Sequence, residues 1–169
     1  MKGFPDKAHY HPYFDTYISQ VKGDDIKVHL EDGGPIEFYK NINHDKWDYR
    51  YAPDKWTVKE VLMHIMDTER IFAYRALRIS RGDKTALAGF DQNPYVASYF
   101  PDSRTPSSLL EEYRAMRNNT IELFKNFMNS HYQQVGVASE HAVSVHALAY
   151  MIVGHELHHL NLFKERYDI

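Results

Sequence analysis

Two histidines four residues apart, His155 and His159, lie in the run Gly154-His155-Glu156-Leu157-His158-His159, late in a long apolar-periodic segment. On an α-helix, residues four apart share a face, so both imidazoles can aim at one point. Neutral imidazoles bind divalent metals at about 2.0–2.1 Å per bond. A stable site needs at least a third ligand. His64 is the best candidate, flanking the apolar stripe of another helix with Val61, Thr68 and Ile71. Three histidines leave coordination positions open to water or substrate, which is the catalytic kind of site. Spacing alone leaves a second reading open, in which each inward ring is an ordinary core histidine. That reading demands a polar partner for every buried ring.

The same run spells H-E-x-x-H, the zinc-protease pattern of two ligands and a glutamate base. The rest of the chain argues against a protease: only Glu165 and Asp168 follow as candidate ligands, no histidine lies downstream, and no substrate-binding sheet is evident. Glu156 lies close to the inward face. It is a candidate to hydrogen-bond a ligand ring or carry a proton, or to pair internally with an arginine such as Arg70 or Arg75. A structural or ligand-supporting role is favoured, and Glu69 poses the same question with the same answer. No catalytic residue beyond the metal ligands is assigned. By helical phase His158 points outward. His9 and His11 read as exposed residues beside Pro12, and His29, His44, His131, His141 and His146 as surface or capping residues.

Composition limits the chemistry further. The chain has no cysteine, which excludes a disulfide scaffold, a thiolate metal site and a cysteine nucleophile together. A net charge of −3 without a basic tract offers no electrostatic footprint for nucleic acid. The N-terminal residues lack the apolar stretch of a signal peptide, and the uncharged run from Ser144 to Gly154 is too short to span a bilayer. A cytoplasmic protein is expected.

Four segments must position the histidines. The first starts at Asp24-Asp25, runs through Ile26, Val28 and Leu30, breaks at Gly33-Gly34-Pro35, and resumes through Ile36, Phe38, Tyr39 and Ile42. Proline inside a helix costs about 3 kcal/mol. The second opens on a T-x-x-E capping box at Thr57 and Glu60, with Val58, Val61, Leu62, Ile65, Phe72, Ala76 and Ile79 at helical spacing. The third opens at Thr105-Pro106, a cap with proline at the first helical position, and carries Leu109, Leu110, Tyr113, Met116, Ile121, Phe124 and Phe127. The fourth runs from Ser144 to about Tyr167, with Val145, Leu148, Ile152, His155, His159, Leu162 and Phe163 on one side. Residues 1–23 read as a Tyr-rich arm with a short helix from Tyr13 to Val21. Residues 80–104 form a long connection rich in aromatics, of the kind that covers pockets. Trp47 and Trp56 read as core anchors, Trp56 also as a possible pocket rim. Few strands are expected. The pattern predicts an all-α, up-down four-helix bundle in a single domain over 1–169, with the arm at 1–23 and the bundle at 24–169.

Three blocks resemble the DinB-like superfamily, and more closely its YfiT-like branch: Tyr49 to His64 with the Pro-Asp-Lys-Trp lead-in, Asp67 to Asn93, and Val143 to Leu160. The resemblance implies a four-helix bundle holding one divalent metal, nickel or zinc, on His64, His155 and His159. It also implies a homodimer. It further implies an enzyme resembling thiol S-transferases that use a low-molecular-weight thiol such as bacillithiol or mycothiol. Metal coordination would deprotonate that thiol. The alternatives are a hydrolase using metal-bound water of lowered pKa and a non-catalytic metal-binding stress-response module. The Gly33-Gly34-Pro35 break departs from the continuous first helix the family implies.

Overall fold

The structure, a computed structural model, describes residues 2–169. The first expected helix is two short ones, α2 (Ile26–Leu30), capped by the Asp25 side chain, and α3 (Gly34–Lys40), with Pro35 in its first turn. They are preceded by the single-turn α1 (Asp15–Ile18). The second expected helix is α4 (Val58–Ser80), and both halves of its capping box form between Thr57 and Glu60. A short α5 (Gln92–Ala97) lies within the long connection. The third expected helix is α6 (Pro106–Lys125), capped by Thr105. Then come α7 (Asn129–Tyr132), an antiparallel hairpin of β1 (Val135–Ala138) and β2 (His141–Ser144), and α8 (Val145–Arg166), capped by Ser144. Among the described residues no helix is long and apolar enough to cross a membrane.

The bundle's four rods are α2–α3, α4, α6 and α8, with α4 packed on both α6 and α8. Every residue of the predicted α4 stripe is buried. So are Leu109, Tyr113, Met116, Phe124 and Phe127 of the third segment, although Phe127 lies past the end of α6. Val28 departs from its expected place and faces solvent. The hairpin adds a feature to the expected helices. Leu87 joins it, donating its N–H to the Val137 carbonyl at 2.9 Å and accepting from Ser139 at 3.0 Å.

The N-terminal arm packs tightly on the bundle. Tyr10, Ile18 and Val21 are buried, and α1 lies along α8. Gly154 permits this approach, because a Cβ there would stand 2.1 Å from the Tyr17 carbonyl oxygen. His9 and His11 are half-buried rather than exposed, and the His11 ring lies tilted against His141 with centroids 4.1 Å apart. His146 is also displaced from its expected surface position: it is buried against Tyr132 and Tyr150. Gly154→Ala is expected to push α1 off α8 and lower stability by roughly 1–3 kcal/mol, the usual range for overpacking, which urea denaturation would measure.

Candidate metal centre

Three helical choices in a row place the site. Gly154 admits α1, His155 faces α4, and Glu156 turns towards α3 and α6. The carboxylate of Glu156 accepts from Tyr39 at 3.0 Å, from Tyr113 at 2.8 Å and from Arg117 Nη2 at 2.8 Å. Arg117 also grips Glu69, with Nε to Oε1 at 2.9 Å and Nη2 to Oε2 at 2.6 Å. Burial pulls the Arg117 pKa down, but Glu156 and Glu69 outweigh it and hold it well above the ordinary arginine value. Burial and the Glu156 charge together push the Tyr39 and Tyr113 hydroxyls up, so both stay protonated donors. The Glu156 partner is therefore Arg117, not Arg70 or Arg75, and its hydrogen bonds among the described residues go to this cluster rather than to a histidine. Arg70 is already occupied by Glu112 at 2.6 Å and Asp67 at 3.2 Å.

With this cluster tying α8 to α4, His64, His155 and His159 meet. The Nε2 atoms of His64 and His155 lie 3.0 Å apart, and those of His155 and His159 3.1 Å. All three side chains are buried, and one nitrogen from each lies within 4.8 Å of the others. An imidazole Nε2 carries either one proton or one lone pair. Hydrogen bonding can thus satisfy one of the two close pairs and leaves the third nitrogen facing it without a match. A cation satisfies all three lone pairs. Nitrogens about 2.1 Å from a shared ion lie about 3.0 Å apart when they subtend about 90°, so the donor set fits a divalent metal.

Electrostatics keep the rings neutral. Burial lowers the His64 pKa to about 4, with Asp67 opposing weakly. Burial lowers His155 and His159 well below the ordinary value, and the neighbouring histidines add to the shift. Neutral rings are the metal-binding form. Aromatic walls fix their orientation: Trp56 lies 4.9 Å from His64, and Tyr17 sits edge-on 5.2 Å from His155. His158, outward by phase, is half-buried and also packs against Tyr17.

The centre opens on two sides. His159 lines a cavity of about 290 Å³ with Trp56, Tyr51, Lys55 and Asn93. His64 and His155 line another of about 200 Å³ with Tyr17, Phe72, Arg75 and Phe90. Trp56 thus serves as a pocket rim, and the long connection contributes Phe90, Gln92 and Asn93 to the two cavities. Tyr95 and Phe100 of that connection instead face solvent. Sequence reasoning missed Arg75 and Tyr17 as cavity walls. Arg75 follows His64 by eleven positions, about three turns, on the same face.

A family model described as the DinB superfamily matches residues 36–163, from α3 through most of α8 and across all three histidines. The chain belongs to the DinB superfamily. A solved structure of YfiT from Bacillus subtilis, described as a probable metal-dependent hydrolase with an unusual four-helix bundle topology, aligns with a TM-score of 0.71. It covers 97% of this chain and 91% of that one at 14% identity. At that identity the likeness shows the shared fold alone. No curated protein matches the chain at a significant level.

The buried histidines set a pH dependence. His64 has an ordinary value of 6.5 and a folded value of about 4, so the folded state binds fewer protons than the unfolded one. Its contribution to stability is complete above about pH 6.5 and is lost as pH falls towards about 4. Chelator-treated protein is expected to lose stability across that window in urea titrations. His64→Ala should show a shallower loss.

Proposed function

We propose that the protein is a metal-dependent enzyme of the thiol S-transferase type, with His64, His155 and His159 holding one divalent cation, nickel or zinc. The convergence of three buried Nε2 atoms between two separate cavities carries this reading. A bound divalent cation supplies Lewis acidity and lowers the pKa of a thiol or water that it coordinates. A transfer reaction needs room for two organic substrates, and the two sides of the centre provide it. The cavity shared by His64 and His155 is lined, among the described residues, by no carboxylate. A water nucleophile assisted by a carboxylate base would lack one there, whereas a thiol, far more acidic than water when free, needs less help to deprotonate on a cation. Tyr17, Phe72 and Phe90 supply apolar wall, and the His rings are held by packing before substrate arrives.

Hydrolysis is the second reading, favoured by the likeness to YfiT, a probable metal-dependent hydrolase, and by Asp54 lining the other cavity. Assays separate the two. Metal-loaded protein that conjugates bacillithiol to monochlorobimane supports transfer, and thiol-independent cleavage of ester or amide panels supports hydrolysis. Tight metal retention with neither activity points to a non-catalytic metal-binding module. His155→Ala and His159→Ala are each expected to release most of the metal in elemental analysis of protein purified without a histidine tag. His158→Ala is expected to retain it. Full occupancy in either of the first two variants would remove the ligand assignment.

A further inference from the structure

The cavity reached by His64 and His155 holds a buried cation without a counter-charge. Arg75 is 3% exposed, and its Nη2 donates to the Ala88 carbonyl at 2.8 Å and to Ser139 Oγ at 3.0 Å. Its Nε has no partner, and among the described residues no carboxylate pairs with it. The contrast is Arg117, also buried but clasped by two carboxylates. A buried guanidinium left unpaired is costly. Thr68 Oγ1, on the same cavity wall, is also buried and unpartnered.

These groups form a line. His64, Thr68, Phe72 and Arg75 follow one another down one face of α4 and all line the cavity. At about 1.5 Å per residue, His64 and Arg75 Cα atoms are about 16 Å apart along the axis. The hairpin turn meets the far end. Ser139 and Glu140 both have positive φ, 51° and 68°, in a two-residue turn where Asn-Gly is the relaxed choice. The hairpin itself demands that conformation, and it leaves Ser139 Oγ within reach of the guanidinium.

We propose that Arg75 anchors the carboxylate end of an elongated organic substrate whose other end reaches the three histidines. This rests on the reading of those histidines as the reacting centre. One guanidinium, the sole arginine or lysine among the cavity's described lining, matches the single charge of a carboxylate better than the near-double charge of a phosphate. Apolar contact with Phe72 and Phe90 suits the chain between the ends, and Thr68 offers it a hydroxyl.

Calorimetric titration tests this with three probes: ω-mercaptohexanoate, ω-mercaptohexanol and hexanoate. Zinc-loaded protein is expected to bind the mercaptoacid about tenfold or more tightly than the mercaptoalcohol, the scale of a hydrogen bond to a charged group. Arg75→Gln should abolish that preference, and Arg75→Lys should restore part of it. Hexanoate binding to chelator-treated protein should weaken by a similar factor in Arg75→Gln, with circular dichroism unchanged. Should Arg75→Gln fail to fold, Ser139→Ala, which frees the guanidinium but keeps the charge, is expected to reduce the preference. Equal binding of acid and alcohol by the unaltered protein, or a preference that survives Arg75→Gln, overturns the proposal. Acid selectivity lost with Arg75 in protein that fails to hold zinc would uphold the anchor and sink the metal reading. Zinc held without acid selectivity would do the reverse.

Discussion

The site depends on the register of α8 against the rest of the bundle, and the Arg117 guanidinium fixes that register. It joins carboxylates from α4 and α8, while hydroxyls from α3 and α6 close on Glu156. All four rods thus contribute to one buried polar cluster. Breaking such a pair by removing one partner costs about 3–5 kcal/mol, because a charge is left buried alone. A slip of one residue along α8 would turn every side chain by about 100° and leave Arg117 facing Leu157 or His155. The helix therefore has one acceptable rotation, in which Glu156 meets the clasp and His155 meets His64.

A second constraint follows from burial. Three buried, neutral imidazoles at 3.0 and 3.1 Å cannot all satisfy one another by hydrogen bonds. The arm adds to this by laying Tyr17 over His155 through the gap at Gly154. The arrangement combines a lone-pair cluster suited to a cation with two cavities of unlike character. One is rimmed by Trp56, Asp54 and Lys55, and the other is aromatic with a single guanidinium at its far end.

Much of this was legible in the sequence because it is local. The Thr57–Glu60 capping box, the Thr105-Pro106 start, the Ser144 start and the Gly33-Gly34-Pro35 break each rest on a few adjacent residues, and each marks an observed helix boundary. The i, i+4 spacing put His155 and His159 on one face, and the apolar stripe of α4 put His64 inward. Tertiary choices were not legible. Glu156 had several arginines within plausible reach, and only the packing of α6 selects Arg117. The hairpin is built from two four-residue strands joined by a strained Ser139-Glu140 turn, too short for periodicity and without the usual turn residues. His146 carried no patterned partner, so its burial beside Tyr132 and Tyr150 left no trace in spacing. Arg75 looked like any helix arginine, because what distinguishes it is a missing counter-charge.

X-ray absorption at the metal edge of nickel- or zinc-loaded protein tests the central claim most directly. The account predicts imidazole scattering from about three rings at about 2.0–2.1 Å, falling by one ring or vanishing with the metal in His64→Ala. A spectrum without imidazole, or one unchanged in His64→Ala, would contradict it.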